Sequence, residues 1–384
     1  MHEEIPSVDK PYLGGLGRLV GALARSQQRK LSYASCRALG PEAWARSARE
    51  SLREHLDFSP EPVALDPETI AIQQQDGYSR ETVSFASTAH HRMTAEILIP
   101  DGAVSPCAAI LALHDHGGFY THGREKVVEG LSDSEALVDF VNSAYQGRYW
   151  ASELARRGYV VMVADVLGWG QRRLAVADLQ DSVQAELDGL EEGSHAWVRI
   201  FNAAFAEAAP ALDKHANFAG TSWLGVVNWD DRRCVEYLGA RAEVDSSRIA
   251  CAGLSGGGWR ASYLVGAEDR LAAAVVAGWM ARLGDQLTHD NRSHIGLYSA
   301  PSVYRYLDLP DIAASSCPRP LLVMNCQQDR LFSMDSMRGA CDDIGKVYRD
   351  AGCPEHFEAR VYDVPHCLNV EMQEEMFAWL RANL

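Results

Sequence analysis

Apolar residues recur along this chain with two different periods. In PEAWARSARESLREHL (41–56), Trp44, Ala48, Leu52 and Leu56 stand four apart with charges between them, which predicts an amphipathic helix. From about residue 69 the pattern shortens to β-like runs, TIAIQQ, ETVSFAS and MTAEILI. The next two runs, AAILALH (108–114) and YVVMVAD (159–165), are continuously apolar, as strands buried on both faces should be. Between them, YWASELARRG (149–158) reads as a helix that stops at a glycine.

The alternation then repeats. VVNWDDRRCVEYLGAR (226–241) is helical, RIACAGL (248–254) a strand, the segment after Ser255 a helix, and LAAAVVAGW a strand again. RPLLVMNC (319–326) predicts a strand, MDSMRGACDDIGKVYRDAG a helix, FEARVYDV a strand and VEMQEEMFAWLRANL a closing helix. Strands alternating with helices predict an α/β fold with a mostly parallel central sheet covered by helices on both faces. Two stretches break the rhythm: 171–222 is helix-rich, and 281–317 is loop-rich with Pro301, Pro310 and Pro318. Both are expected to be cap or lid elements over the C-terminal edge of the strands. The expected organisation is an N-terminal helical extension (1–65) followed by one catalytic domain (66–384) carrying these two insertions.

The sharpest local signal is IACAGLSGGGWR (249–260), one serine among four glycines directly behind an apolar run. Glycine is costly inside regular structure, so the cluster marks a turn that side chains do not fit. Gly253-Leu254-Ser255-Gly256-Gly257 matches G-x-S-x-G between a predicted strand and a predicted helix, the context of a nucleophile elbow. In such an elbow the serine is held in a strained conformation, residues two before and two after it would clash if they carried Cβ atoms, and the helix aims its positive end at the site.

A serine hydroxyl needs a base, and the base needs an acid to orient it. In the elbow context they follow in the order Ser, Asp/Glu, His. Asp329 falls just past the LLVMNC strand, 74 residues after Ser255, and His366 just past the last strand, 37 residues further on. Taken singly, Asp329 reads better as a loop or cap aspartate, and His366 reads equally well as a satisfied strand-end histidine. Their joint position at the ends of parallel strands makes them candidates for one catalytic set. The backbone N–H of Gly256 is one candidate oxyanion donor. The other comes from the loop LHDHGGF, where the N–H of His116 is the first choice and that of Gly117 the next. Asp165, in ADVLGWGQRR, reads as a loop anchor. Tyr120, Trp169 and Trp279 are candidates for pocket walls in contact with substrate, with core packing as the alternative for Trp169.

Composition narrows the classes. Net charge is −16, from 36 basic and 52 acidic residues, with no basic patch to release counterions, so nucleic acid and anionic membrane surfaces are not expected partners. A small molecule is the expected partner, and a homo-oligomer is compatible with the composition. The nine cysteines form no CxxC pair and no regular spacing, which speaks against a disulfide framework. The first 30 residues lack a basic start, an apolar core and a cleavage site, and no later stretch holds 18 uninterrupted apolar residues. A cytoplasmic location is expected. His114-Asp115-His116 invites a metal reading, but no H-x-x-x-H or second H-x-H supplies further ligands, so no metal and no cofactor are expected.

LHDHGGFYTHGREK, ADVLGWGQRR, VDSSRIACAGLSGGGWRASYLVGAEDRLAAAVVAGW and NCQQDRLFS together resemble the α/β-hydrolase superfamily, and within it the dienelactone-hydrolase and acetyl-xylan-esterase-like group. The resemblance covers roughly residues 40–384, including the helical segment EAWARSARESLREHL. It implies an α/β-hydrolase fold and a cofactor-free serine hydrolase with Ser255, Asp329 and His366 as triad and the amides of His116 and Gly256 as oxyanion hole. Dienelactone hydrolases proper carry cysteine at the elbow, and the serine here argues against that substrate. Secreted xylan deacetylases carry export signals, and their absence from this sequence argues against a polysaccharide. The expected reaction is hydrolysis of a carboxylic ester, a small acyl group on a hydroxylated metabolite or sugar. The same triad would also serve an acyltransferase, cyclase or carbon–carbon bond hydrolase. A metal-dependent hydrolase on His114, Asp115 and His116, and a non-catalytic binding module, are the readings from other classes.

Overall fold

The computed structural model describes residues 14–26, 28–102, 106–288 and 296–384. The first 13 residues, part of the stretch read for a leader, and residues 289–295 of the loop-rich insertion lie outside the described set. Among the described residues nine strands make one sheet: β1 (Glu68–Gln75), β2 (Tyr78–Thr88), β3 (His91–Pro100), β4 (Cys107–Leu113), β5 (Val160–Ala164), β6 (Val244–Leu254), β7 (Leu271–Ala277), β8 (Leu321–Cys326) and β9 (Phe357–Tyr362). Their spatial order is β1-β2-β3-β5-β4-β6-β7-β8-β9. The first three strands pair antiparallel, and β3 joins β5 antiparallel. From β5 to β9 every pairing is parallel.

The burial of the strands follows their place in the sheet. Every residue of β4, β5 and β8 is buried, as continuously apolar strands with helices on both faces must be. By contrast β2 alternates and β1, at the sheet edge, is largely exposed. The order of the parallel strands reverses around β4, which starts the parallel set and has β5 on one side and β6 on the other. The loops leaving β4 and β6 are therefore neighbours at the carboxyl edge, where parallel α/β sheets bind ligands.

The predicted helices form, with boundaries moved by a few residues. The helix Pro41–His55 buries Trp44, Ala48 and Leu52, with Leu56 buried just past its end. Trp44 is fully buried, meets the Tyr33 ring edge-on at 4.8 Å and donates from Nε1 to the Leu31 carbonyl at 2.8 Å. Further hydrogen bonds stitch this N-terminal region to the loop-rich stretch and to the helix after the elbow: Leu31 N–H to the Tyr306 carbonyl, Tyr33 N–H to Asp311, and Arg53 to the Ala267 carbonyl. Trp44→Ala is accordingly expected to cost about 3–5 kcal/mol of stability, read as a drop in the urea midpoint. A loss under 1 kcal/mol would mean that the N-terminal segment is not part of the cooperative fold.

The helix-rich stretch contains the helices Asp181–Leu187 and His195–Phe218. The helix Glu135–Tyr145 has no counterpart in the sequence reading, because adjacent apolar residues (Leu137 with Val138, Phe140 with Val141) blur its period. Among the described residues no helix is long and apolar enough to cross a membrane. All nine cysteines are free thiols.

Candidate active site

At the end of β6 the chain turns through Ser255 at φ 57° and ψ −120°, a conformation costly for any residue with a Cβ, and enters the wholly buried helix Gly256–Ala267. The glycines around it are sterically required. A Cβ at Gly253 would lie 2.5 Å from the Gly257 backbone, one at Gly257 would lie 2.1 Å from the Leu113 carbonyl, and one at Gly258 would lie 2.5 Å from the Ala277 carbonyl. The turn is thus wedged between β4 and β7, and Ser255 N–H donates to the Ala277 carbonyl at 2.8 Å.

Asp329 and His366 arrive from the loops after β8 and β9. His366 Nδ1 donates to Asp329 Oδ2 at 2.6 Å, while the Leu331 N–H holds the other carboxylate oxygen at 2.8 Å. The Asp329 carboxylate is almost fully shielded from solvent; the His366 side chain keeps 26% of its surface open. Gly278, at φ 62°, leaves room for the ring: a Cβ there would lie 3.1 Å from His366 Cε1. His366 and Ser255 thus flank the same Ala277–Gly278 step at the end of β7. Nε2 of His366 is buried without a hydrogen-bond partner, and the Ser255 hydroxyl makes no hydrogen bond to it. Links of this kind often close only once substrate is bound.

The loop after β4 lies against the elbow. A Cβ on Gly256 would be 2.9 Å from the His116 backbone nitrogen and 3.1 Å from the Tyr298 hydroxyl. Gly117 and Gly118 both take positive φ, 58° and 63°, and a Cβ at Gly117 would collide with Asp115 and Phe140. Gly118 N–H donates to His116 Nδ1 at 2.8 Å, which leaves the ring proton on Nε2 to bond the Tyr120 hydroxyl at 3.2 Å. Trp169 donates from Nε1 to the His116 carbonyl at 3.2 Å, and Asn202, on the long helix of the helix-rich stretch, accepts from the N–H groups of Tyr120 and Thr121. Tyr120 and Trp169 are therefore packed beneath the loop as supports, with Phe205 against both rings. Trp279 is buried, stacked on Tyr298 at 4.6 Å and edge-on to Phe332.

His114 does not offer itself to a metal. Val166 N–H donates to its Nε2 at 3.1 Å, so Nδ1 carries the proton and donates to the Asp115 carbonyl at 2.9 Å. Burial holds its pKa well below the ordinary histidine value, so the ring is neutral with both nitrogens committed to backbone. Among the described residues no group of three or more His, Cys, Asp or Glu could hold a metal ion. Asp165 anchors the loop after β5 by accepting from the N–H groups of Arg124 and Gln171 and from the Arg124 guanidinium.

Sequence reasoning passed over several residues at the site. Tyr298 sits over the elbow, and burial pushes its phenol pKa well up, which keeps it a neutral donor. Arg260, one turn into the elbow helix, is buried and forms a two-pronged ion pair with Asp231 at 3.0 and 2.6 Å. Lys126 lies fully buried beneath the loop after β4. Lys126 gives no signal of this in the sequence, since it stands in the charged stretch Arg124-Glu125-Lys126 like any surface lysine. Among the elbow, that loop, Trp169 and Arg260 lies a small cavity of about 10 Å³, room for a single water.

Residues 214–367, which include Ser255, Asp329 and His366, match the Abhydrolase family. A Bacillus subtilis (strain 168) protein assigned as a hydrolase, YtaP, is 23% identical over 330 residues, 82% of this chain and 94% of its own length. A crystal structure from Bacteroides fragilis, assigned as an acetyl xylan esterase, superposes with a TM-score of 0.71 at 18% identity, over 99% of this chain and 97% of that one. A glucuronoyl esterase from Solibacter usitatus superposes with a TM-score of 0.60 at 13% identity, over 90% of this chain and 94% of its own. At these identities the likeness is one of fold.

Proposed function

We propose that this chain, an α/β-hydrolase by fold, is a serine esterase that cleaves a short acyl ester of a hydroxylated metabolite or sugar through an acyl-enzyme. The observation that carries the reading is the 2.6 Å bond from His366 Nδ1 to a shielded Asp329, with the opposite ring nitrogen unpartnered and both His366 and Ser255 against the Ala277–Gly278 step at the end of β7. A proton fixed on Nδ1 leaves the Nε2 lone pair for the Ser255 hydroxyl.

In the reaction Ser255 attacks the acyl carbonyl as His366 takes its proton, and the negative charge on the carbonyl oxygen falls to the N–H groups of Gly256, His116 and Gly117. His366 then protonates the leaving alkoxide. Water then attacks the acyl carbon as His366 takes its proton, and His366 returns that proton to the Ser255 oxygen as the bond to the acyl group breaks and the acid leaves. Asp329 stays ionised and stabilises the imidazolium at each stage. The small volume beside the elbow favours a short acyl group, and the names of the structural neighbours, acetyl xylan esterase and glucuronoyl esterase, favour a sugar ester over a lipid one. In this reading Tyr120, Trp169 and Trp279 bound the substrate space, and the helices of 171–222 cover it.

A fluorophosphonate should label the protein on the peptide carrying Ser255, and acetyl esters should be turned over faster than long-chain p-nitrophenyl esters. Labelling at any other residue, or no hydrolysis of acetylated sugars and short esters by labelling-competent protein, rules the reading out.

A further inference from the structure

Lys126 follows Gly123 in the short turn Arg124–Lys126 and is fully buried. Its ammonium lies beside the rings of Phe119 and Phe140, 5.9 and 5.2 Å from their centroids, and these rings stack on each other at 4.9 Å. A group so placed gives up its hydration, a large cost that an apolar side chain of the same length would avoid. The return on that cost lies in its hydrogen bonds. Nζ donates to the carbonyl of Asp115 at 3.0 Å and to the carbonyl of His116 at 3.0 Å, with the Asp115 carboxylate at 3.4 Å as counter-ion. Tyr145 donates to the other Asp115 oxygen at 2.5 Å and fixes that carboxylate.

These two carbonyls belong to the peptides whose N–H groups are those of His116 and Gly117. In a trans peptide the C=O and N–H point in opposite directions. Anchoring both oxygens on one side of the loop therefore turns both N–H groups to the other side, where the elbow lies: the His116 nitrogen is 2.9 Å from the position of a Cβ on Gly256. A cation on the carbonyl oxygens also polarises the peptides, which makes their N–H groups stronger donors. Other contacts brace only part of this arrangement. The Trp169 indole and the Phe119 N–H reach the His116 carbonyl, and His114 reaches the Asp115 carbonyl; of these groups, Lys126 is the one that bridges the two.

We infer that Lys126 is a positioning residue for the oxyanion hole, a buried cation that aims the His116 and Gly117 amides at the oxygen developing charge on an ester bound at Ser255. The inference rests on the esterase reading of the site and adds to it a residue that never touches substrate. Such a role acts on the transition state, so it should appear in kcat with little change in KM.

The test compares wild type, K126M and the charge-neutral double variant D115N/K126M, with p-nitrophenyl acetate turnover and thermal melting as readouts. K126M strands the Asp115 carboxylate and is expected to melt lower. The double variant removes both charges at nearly constant shape and is expected to recover much of the melting temperature. Its kcat should nevertheless stay down by about 10²-fold with KM within about threefold, the size of effect that follows loss of an oxyanion donor. Recovery of kcat along with stability overturns the inference, and so does a double variant that melts no better than K126M, since the lysine is then a folding element. Ser255→Ala, run alongside, separates the two claims. Turnover that survives it removes the esterase reading itself, whereas turnover lost in Ser255→Ala but retained in D115N/K126M removes only the role of Lys126.

Discussion

Ser255→Ala is expected to lower kcat for a short ester by about 10⁵–10⁶-fold while leaving the fold intact. Nucleophile deletions in serine hydrolases with an intact oxyanion hole have effects of this order, because the remaining groups act as a unit and fail together. The structure gives two reasons why stability should hardly move. Ser255 sits at φ 57° with its strain set by the Cβ, and alanine keeps that Cβ, so the strain is neither relieved nor increased. The backbone bonds of the elbow, Ser255 N–H to the Ala277 carbonyl and Trp259 N–H to the Ser255 carbonyl, do not involve the hydroxyl. The measurements are kcat on p-nitrophenyl acetate and a melting curve. A variant that melts with the wild type yet turns over within tenfold of it leaves Ser255 with no part in the chemistry.

Asp329→Asn should cost about 10⁴-fold in kcat/KM, close to 5–6 kcal/mol of transition-state stabilisation. The second hydrogen bond of Asp329 makes the prediction specific. Leu331 N–H donates to one carboxylate oxygen at 2.8 Å, and the other oxygen receives His366 Nδ1–H at 2.6 Å. In the amide variant the oxygen is retained by Leu331, and the NH₂ must face the imidazole. Nδ1 then becomes the acceptor and the ring proton moves to Nε2, where it blocks acceptance of the Ser255 proton. The geometry survives and the tautomer is wrong. A loss of less than tenfold in steady-state kinetics would mean that Asp329 does not orient the base.

The places where sequence and structure part company share one cause. The Gly253–Gly258 elbow was legible because its requirement is local: the neighbouring strand and helix are dictated by the same few residues, and no Cβ fits between β4 and β7. The chain order of Ser255, Asp329 and His366 was legible because parallel strands put every strand-to-helix loop at one edge of the sheet. Lys126 was not, since a lysine in the charged stretch Arg124-Glu125-Lys126 reads as a surface residue until the turn that carries it folds beneath the loop after β4. Nor were Arg260 and Tyr298, whose partners lie far away in the chain, Asp231 among them. For Tyr120 and Trp169, read as pocket walls, nothing in the sequence pointed to their contacts with His116 and Phe205. The helix Glu135–Tyr145 escaped because Leu137, Val138, Phe140 and Val141 give no clean face, Val138 being left exposed and Phe140 packing over the Lys126 ammonium.

By itself, then, the sequence determined the strands and most of the helices, that the sheet is mostly parallel, and where a backbone must turn too sharply for side chains. Each of these follows from periodicity or from sterics within a few residues. Only the tertiary structure decided which way the amides of the His116–Gly117 loop face and what holds them there. It also decided that His114 is committed to backbone and that His366 keeps one nitrogen open. Orientation of a peptide plane or an imidazole is set by hydrogen-bond partners brought together by folding, and residue types along a line do not encode it.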